Sequence, residues 1–216
     1  MLNILPAAPY LIAYAGAAVL LSATPGPDMA LFLQRTLSGG RAHGLAAMGG
    51  AMTGILVHTM AAAFGLSALI AASASLYGAV RVAGALYLLW LAWNALRHGS
   101  ALNVGPGGAP AKSLGSTFAT GVLINVTNPK IVLFFVTFLP QFIAPDDSSP
   151  AGKFVALGIL YVLISSLVNG AIILAAGGFL AALRRHPRRL RLFDYALAAL
   201  MGGFAARLLA SSGGRP

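Results

Sequence analysis

Two long apolar stretches of this chain are each interrupted by proline, and the interruptions carry charges of opposite sign. The first runs Ser22-Ala-Thr-Pro-Gly-Pro-Asp28-Met-Ala-Leu-Phe-Leu33, the second Asn125-Val-Thr-Asn-Pro-Lys130-Ile-Val-Leu-Phe-Phe135. Aligned on Pro27 and Pro129, both read proline, ion, two apolar residues, Leu, Phe. A proline inside a helix removes a hydrogen bond and clashes with the preceding turn. At the first position of a helix it costs nothing. Each stretch therefore predicts a helix, a short unwound piece, and a second helix that starts at the proline. With 58% hydrophobic and 8% charged residues in 216, these stretches belong in a bilayer, whose hydrocarbon core takes about 20 apolar helical residues. Unwound backbone survives at that depth only where protein or a wet cavity surrounds it. Ionisable groups there are rare and usually functional.

Six apolar spans are expected, over 10–37, 44–70, 77–96, 114–143, 154–183 and 192–209. The first is broken at 24–28 and the fourth at 125–130. Uninterrupted apolar runs argue against a β-barrel, whose strands alternate. Residues 99–113 are rich in Gly and Pro and read as a linker. They divide the chain into a three-span unit over 1–98 and another over 114–210, with 211–216 as a disordered tail. An odd number of spans per half makes the second half enter from the opposite side. The predicted fold is thus an all-α integral membrane protein of six transmembrane helices, arranged as two inverted three-helix repeats with a broken first helix in each. Matched breaks in two such halves point to a transporter's binding site.

The net charge of +10 comes from 14 Lys and Arg against four acidic residues. The cations flank spans, so they read as topological signals and not as a nucleic-acid surface. Arg35, Arg41, Arg97, Lys112, Arg184, Arg185, Arg188, Arg189 and Arg191 fall on one side, expected to be cytoplasmic. Arg81, Lys153, Arg207 and Arg215 fall on the other. Both termini then face the periplasm. The N-terminus lacks the positive n-region of a cleaved signal and reads as a retained span. Trp90 and Trp93 read as interfacial anchors.

In each break the polar groups converge. Asn128 before Pro129 is a good N-cap, and Gly26 before Pro27 a poorer one. Asp28 agrees with the dipole of its half-helix and Lys130 opposes its own, so Lys130 needs an anionic partner or a task. Two readings stay open: a fixed Asp28–Lys130 ion pair locking the halves, or a zwitterion shared between them. Pro25, Gly26, Pro27, Asn125, Asn128 and Pro129 would line the site. His58 and Asn169, polar residues within spans, are further candidates for the pathway, though each could instead serve helix packing. Gln34 and Asn94 are lesser ones.

Without cysteine there are no disulfides and no thiolate ligands. The chain has no His-Glu-x-x-His or Gly-x-Ser-x-Gly. No enzyme, metal site or cofactor is expected.

Three further motifs join the two breaks. Residues 25–28 (PGPD), 39–45 (GGRAHGL), 84–93 (GALYLLWLAW) and 125–130 (NVTNPK) with 138–142 (FLPQF) resemble the LysE/RhtB family of amino-acid exporters over nearly the whole chain. The resemblance implies a bacterial inner-membrane exporter of lysine, homoserine, threonine, leucine or a related compound, driven by the proton gradient. The family's motifs fall on Pro25–Asp28 and Asn128–Lys130 without departure. The partners implied are the amino-acid substrate and the lipid bilayer, and a homo-oligomer stays an option. A passive channel or ion transporter on the same fold and a non-transporting membrane subunit remain alternatives.

Overall fold

The computed structural model describes residues 6, 8–68, 74–98, 113–143, 147, 149–176 and 187–210. The expected linker 99–113 (save Ser113), the tail 211–216 and the basic positions 184 and 185 lie outside the described residues. Eight α-helices form the molecule among those that are described: α1 (Ala8–Ala23), α2 (Pro27–Gly39), α3 (Arg41–Ala61), α4 (Ala74–His98), α5 (Leu114–Val126), α6 (Pro129–Leu133), α7 (Pro150–Leu174) and α8 (Pro187–Ala210). Four of them open on proline, where the missing N–H would have had no partner.

The two predicted breaks are present. α1 and α2 meet at 51°, and α5 meets the helical stretch Pro129–Phe142 at 50°. Arg41–Leu66 and Pro150–Leu174 are long and apolar enough to cross a membrane, and the two bent pairs bring the number to four. α4 and α8, at 25 and 24 residues, have the length but are not among the helices apolar enough to count as spans. Helices thus stand at all six predicted places, with shifted ends. α7 starts at Pro150, four residues before the expected span. α8 starts at Pro187, five residues before it.

Small residues decide how closely the helices pack. α3 and α5 run in backbone contact: a Cβ on Gly50 would meet the Phe118 carbonyl oxygen at 2.0 Å, and one on Gly121 the Ala47 oxygen at 2.1 Å. Van der Waals packing of this kind replaces the hydrophobic effect between helices in lipid. Gly40, with φ +83°, makes the turn from α2 into α3, and its N–H bonds the Thr36 oxygen.

Two helices depart from α geometry. α3 continues as a π-helical turn over Ala62–Leu66, and α6 as another over Phe134–Phe138, followed by a 3-10 turn over Leu139–Phe142. The second widened turn lets Phe134, Phe138 and Phe142 all reach the Tyr14 ring, with centroids 6.1, 6.2 and 5.3 Å away. The Tyr14 hydroxyl donates to the Leu157 oxygen at 2.7 Å. That bond satisfies the one polar atom the aromatic cluster buries on α1. Arg41 donates to the Leu174 oxygen at 3.0 Å, which brings the start of α3 and the end of α7 to one end of the bundle. Trp90 and Trp93 are exposed, and the Arg97 guanidinium lies 4.4 Å from the Trp93 ring centroid.

Candidate functional site between the two helix breaks

The second break carries its own donors. Thr127 turns back, its N–H and hydroxyl both donating to the Leu123 oxygen at 3.1 and 2.8 Å. The Asn128 N–H reaches the Asn125 oxygen at 3.0 Å. The Asn128 side chain then caps α6, its Oδ1 accepting from the Lys130 N–H at 3.0 Å. Donors from within the break thus serve the carbonyls of Leu123 and Asn125.

At the first break they do not suffice. Thr24 serves Leu20 in the same way, through its N–H at 3.0 Å and hydroxyl at 2.6 Å. Pro25 and Pro27 then contribute no N–H, and Gly26 offers no side chain. The missing donor comes from the other half of the chain. Lys130 Nζ donates to the Leu21 oxygen at 3.2 Å and to the Thr24 oxygen at 3.1 Å. Cation and helix C-terminus are complementary. This is the task that the unfavourable place of Lys130 at the start of α6 calls for. Gly26 makes room for it, since a Cβ there would lie 3.2 Å from Nζ.

Asp28 makes the reciprocal crossing. It opens α2, yet its Oδ2 accepts from Asn125 Nδ2 at 3.1 Å and Asn128 Nδ2 at 2.9 Å, both in the second break. The carboxylate is buried, and its Oδ1 has no hydrogen-bond partner. Asn125 Oδ1 is buried and unpartnered as well. Such groups are costly and call for an explanation in a ligand, an ion or a water.

Of the two readings left open, the direct Asp28–Lys130 ion pair is not formed. Each ion is instead hydrogen-bonded to neutral groups at the opposite break, and among the described residues the one ion pair is Lys153–Asp147. The physical reason is local: the Leu21 and Thr24 carbonyls at the first break hold the Lys130 ammonium, while the Asn125 and Asn128 amides hold Oδ2 of Asp28 at the second and leave Oδ1 free.

A cavity of about 20 Å³ lies between the breaks, lined among others by Ser22, Thr24, Asp28, Asn125, Lys130 and Asn169. That is space for one water molecule. In this conformation the space beside the polar groups is water-sized and does not admit an amino acid.

The other predicted residues distribute as follows. Pro25 and Gly26 are buried at the first break, and Pro27 and Pro129 sit exposed on the outer surface. Of the residues expected to line the site from the two breaks, Asn125 does so beside Asp28 and Lys130, whereas Pro25, Gly26, Pro27, Asn128 and Pro129 shape the breaks without lining the cavity. Asn169 is reached from α7 and donates to the Ser165 oxygen at 2.9 Å and hydroxyl at 3.0 Å. His58 is not in the cavity. Its ring stacks on Phe135 at 5.7 Å, and Nε2 stands 3.4 Å from the Asn125 oxygen, one residue removed from Asp28. Gln34 is exposed, and the side chain of Asn94 lies outside the described residues.

Tyr161 and Ser165 of α7 also line the cavity, and the sequence reading missed both. Their i, i+4 and i, i+8 spacing to Asn169 put three polar groups on one helix face, a signal that was available. Gly54 is one of 26 glycines, and no local pattern sets it apart. A Cβ there would stand 2.6 Å from Asn125 Oδ1, so this glycine admits the amide that holds Asp28.

Outside the bundle, Asp147 accepts from the Ser149 N–H at 3.2 Å and pairs with Lys153. The Lys153 hydrogen bond, ahead of the Ser149 one, holds the Asp147 carboxyl below its ordinary value of 3.8.

Sequence comparison agrees with the geometry. The model of the family described as LysE type translocator matches residues 19–212. A leucine efflux protein of Klebsiella pneumoniae is 28% identical over 197 residues, covering 91% of this chain and 93% of the relative. A homoserine/homoserine lactone efflux protein of Salmonella typhimurium is 29% identical over 189 residues, covering 87% and 90%. An uncharacterized membrane protein of Vibrio cholerae is 35% identical over 158 residues, covering 73% and 76%. No solved structure matches. The matched region takes in both breaks and every residue of the cavity between them, and the chain belongs to the LysE type translocator family.

Proposed function

We propose that this protein is a secondary transporter that exports a small amino acid or derivative, of the leucine or homoserine type, across the bacterial inner membrane. The observation that carries the reading is the free oxygen of Asp28. One carboxylate oxygen takes two amides, and the other is buried, unpartnered and set beside a cavity between two unwound helices. A substrate ammonium is the partner it lacks. Lys130 uses two of its three N–H donors on carbonyls, and the third suits a substrate carboxylate. The names of the efflux relatives support the same class.

The fold would comprise six spans in two inverted halves, 1–98 and 114–210. Support comes from the bends of 51° and 50° and from the packing of counterpart helices, α3 on α7 and α4 on α8. The reciprocal crossing of Lys130 and Asp28 is what a pseudo-two-fold relation would produce. Opening of a closed site on alternate sides then comes from rocking of one half against the other. Asp28 is the acidic residue placed to exchange a proton for the substrate ammonium, which makes proton antiport the natural coupling. The cationic loops put both termini in the periplasm.

Efflux of preloaded amino acids from cells expressing the wild type and Asp28→Asn, at matched membrane levels, tests the proposal. Asparagine keeps the shape and an acceptor for Asn125 and Asn128, so the protein should assemble. Efflux of at least one amino acid by the wild type, reduced about 100-fold in the variant, is expected from the loss of a charge-assisted contact worth roughly 3 kcal/mol. Undiminished efflux would remove Asp28 from the mechanism. Non-saturable flux without counterflow would indicate a channel.

A further inference from the structure

Lys130 walls two cavities. The polar one holds Asp28 and its amides. The other is lined by Ala17 and Leu21 of α1, Phe134 and Phe138 of the second broken span, Leu88 of α4 and Met201 of α8, with Lys130 as its one polar residue. It measures about 10 Å³. Leu21 lines both, and the Leu21 carbonyl is one of the two that hold Lys130. Leu21 and Lys130 therefore form a partition between a polar and an apolar compartment.

An α-amino acid is divided in the same way. Its ammonium and carboxylate sit on one carbon, and its side chain leaves from that carbon. We propose that the apolar compartment is the subsite for the substrate's side chain, so that the exported amino acid carries an uncharged, apolar side chain whose size is set by Ala17, Leu88 and Met201. The inference rests on the amino-acid reading above and names the substrate class of that site.

With its head at Asp28 and Lys130, a substrate has this compartment beside it across the partition. A lysine or arginine side chain there would be stripped of water, without an acidic partner, and beside the Lys130 cation. An aspartate or glutamate side chain would meet no donor but Lys130, which the head group already engages. Buried polar groups without partners are strongly disfavoured.

The walls differ in stiffness. Phe134 packs on Tyr161 at 4.6 Å and Phe138 on Tyr14 at 6.2 Å, so the aromatic wall is fixed by the cluster behind it. Leu88 and Met201 come from α4 and α8, which pack against each other and present flexible side chains, Met above all. Widening of the compartment falls to that side. Both compartments are too small for their parts of an amino acid as they stand, so loading widens them together.

Efflux of preloaded alanine, leucine, phenylalanine and lysine from cells separates the outcomes, with the wild type, Ala17→Val and Met201→Ala at matched membrane levels. Ala17→Val narrows the compartment, and the leucine-to-alanine efflux ratio should fall about tenfold, as for a methylene-sized change in an apolar pocket. Met201→Ala enlarges it, and the phenylalanine-to-leucine ratio should rise several-fold. Should one variant fail to reach the membrane, the other reads the pocket alone. Wild-type ratios in the variants would make the compartment a packing gap and overturn the inference, while amino-acid export stands. Preferential export of lysine by the wild type would do the same. A wild type that exports no amino acid would bring down the functional reading itself, and this subsite with it.

Discussion

The two breaks share a bend angle and a sequence pattern but differ in how their backbone is satisfied. At the second, Thr127 and the Asn128 N–H serve the end of α5, and the Asn128 side chain caps α6. At the first, two prolines and a glycine leave the end of α1 short of donors, and Lys130 arrives from the other half to supply them. One break is built largely from its own residues. The other is complete only while the two halves are docked. The difference teaches that unwound backbone in a membrane can be stabilised locally or in trans. The trans solution ties the conformation of the first break to the position of the second.

Lys130→Met should break the comparison most. It leaves the Leu21 and Thr24 carbonyls without donors and should lower thermal stability in detergent by about 2 kcal/mol, since hydrogen bonds from charged groups are worth roughly 1.5–3 kcal/mol each and the desolvation of the ammonium is saved. Efflux should be lost with it. A variant as stable and active as the wild type would show that the first break stands without help.

Gly54→Ala comes next. Its Cβ would sit 2.6 Å from Asn125 Oδ1, forcing the amide off Asp28 at a cost of about 1–3 kcal/mol for overpacking. Gly26→Ala meets the end of a flexible lysine at 3.2 Å and should cost less than 1 kcal/mol, roughly the lower edge of that range. Both are read by thermal unfolding. A reversed order would mean that the first break is the more tightly packed one. Asn128→Ala, which removes a local cap, should cost about 1 kcal/mol and raise the concentration of substrate needed for half-maximal efflux, because Asp28 also loses an amide.

The smallest effect belongs outside the bundle. The Asp147 carboxyl is held below its ordinary value by Lys153. Its folded-state value is depressed, so it contributes stability that is present above about pH 4 and lost as the pH falls through the lower value. The pair keeps 16% exposure at Lys153 and 8% at Asp147, and Lys153→Ala should lower stability by about 1 kcal/mol or less, the upper edge for a single ion pair near the surface. A larger loss, measured at pH 7 and absent at pH 3, would give this loop a weight that the breaks were thought to hold alone.

Much of the site was legible before the fold. Proline at 27 and 129 marked the breaks, because an N–H missing from a helix is a local fact. Asn128 announced its own cap. The partners of Asp28 and Lys130 were not legible. Pattern matching set opposite charges at matching positions and left open whether they pair or share a ligand, and each in fact reaches neutral groups at the opposite break. Gly54 was lost among 26 glycines, since only the approach of Asn125 from another helix distinguishes it.

The sequence by itself determined the membrane environment, the places of the helices and the two interruptions. Each of these depends on hydrophobicity and on backbone hydrogen bonds within a few residues. Tertiary structure alone decided that Lys130 completes the first break and that Asp28 keeps one oxygen free, and it decided where an apolar compartment adjoins the polar one. Those outcomes depend on which carbonyls and amides come within about 3 Å of each other across roughly 100 residues of chain, and no local pattern encodes that distance.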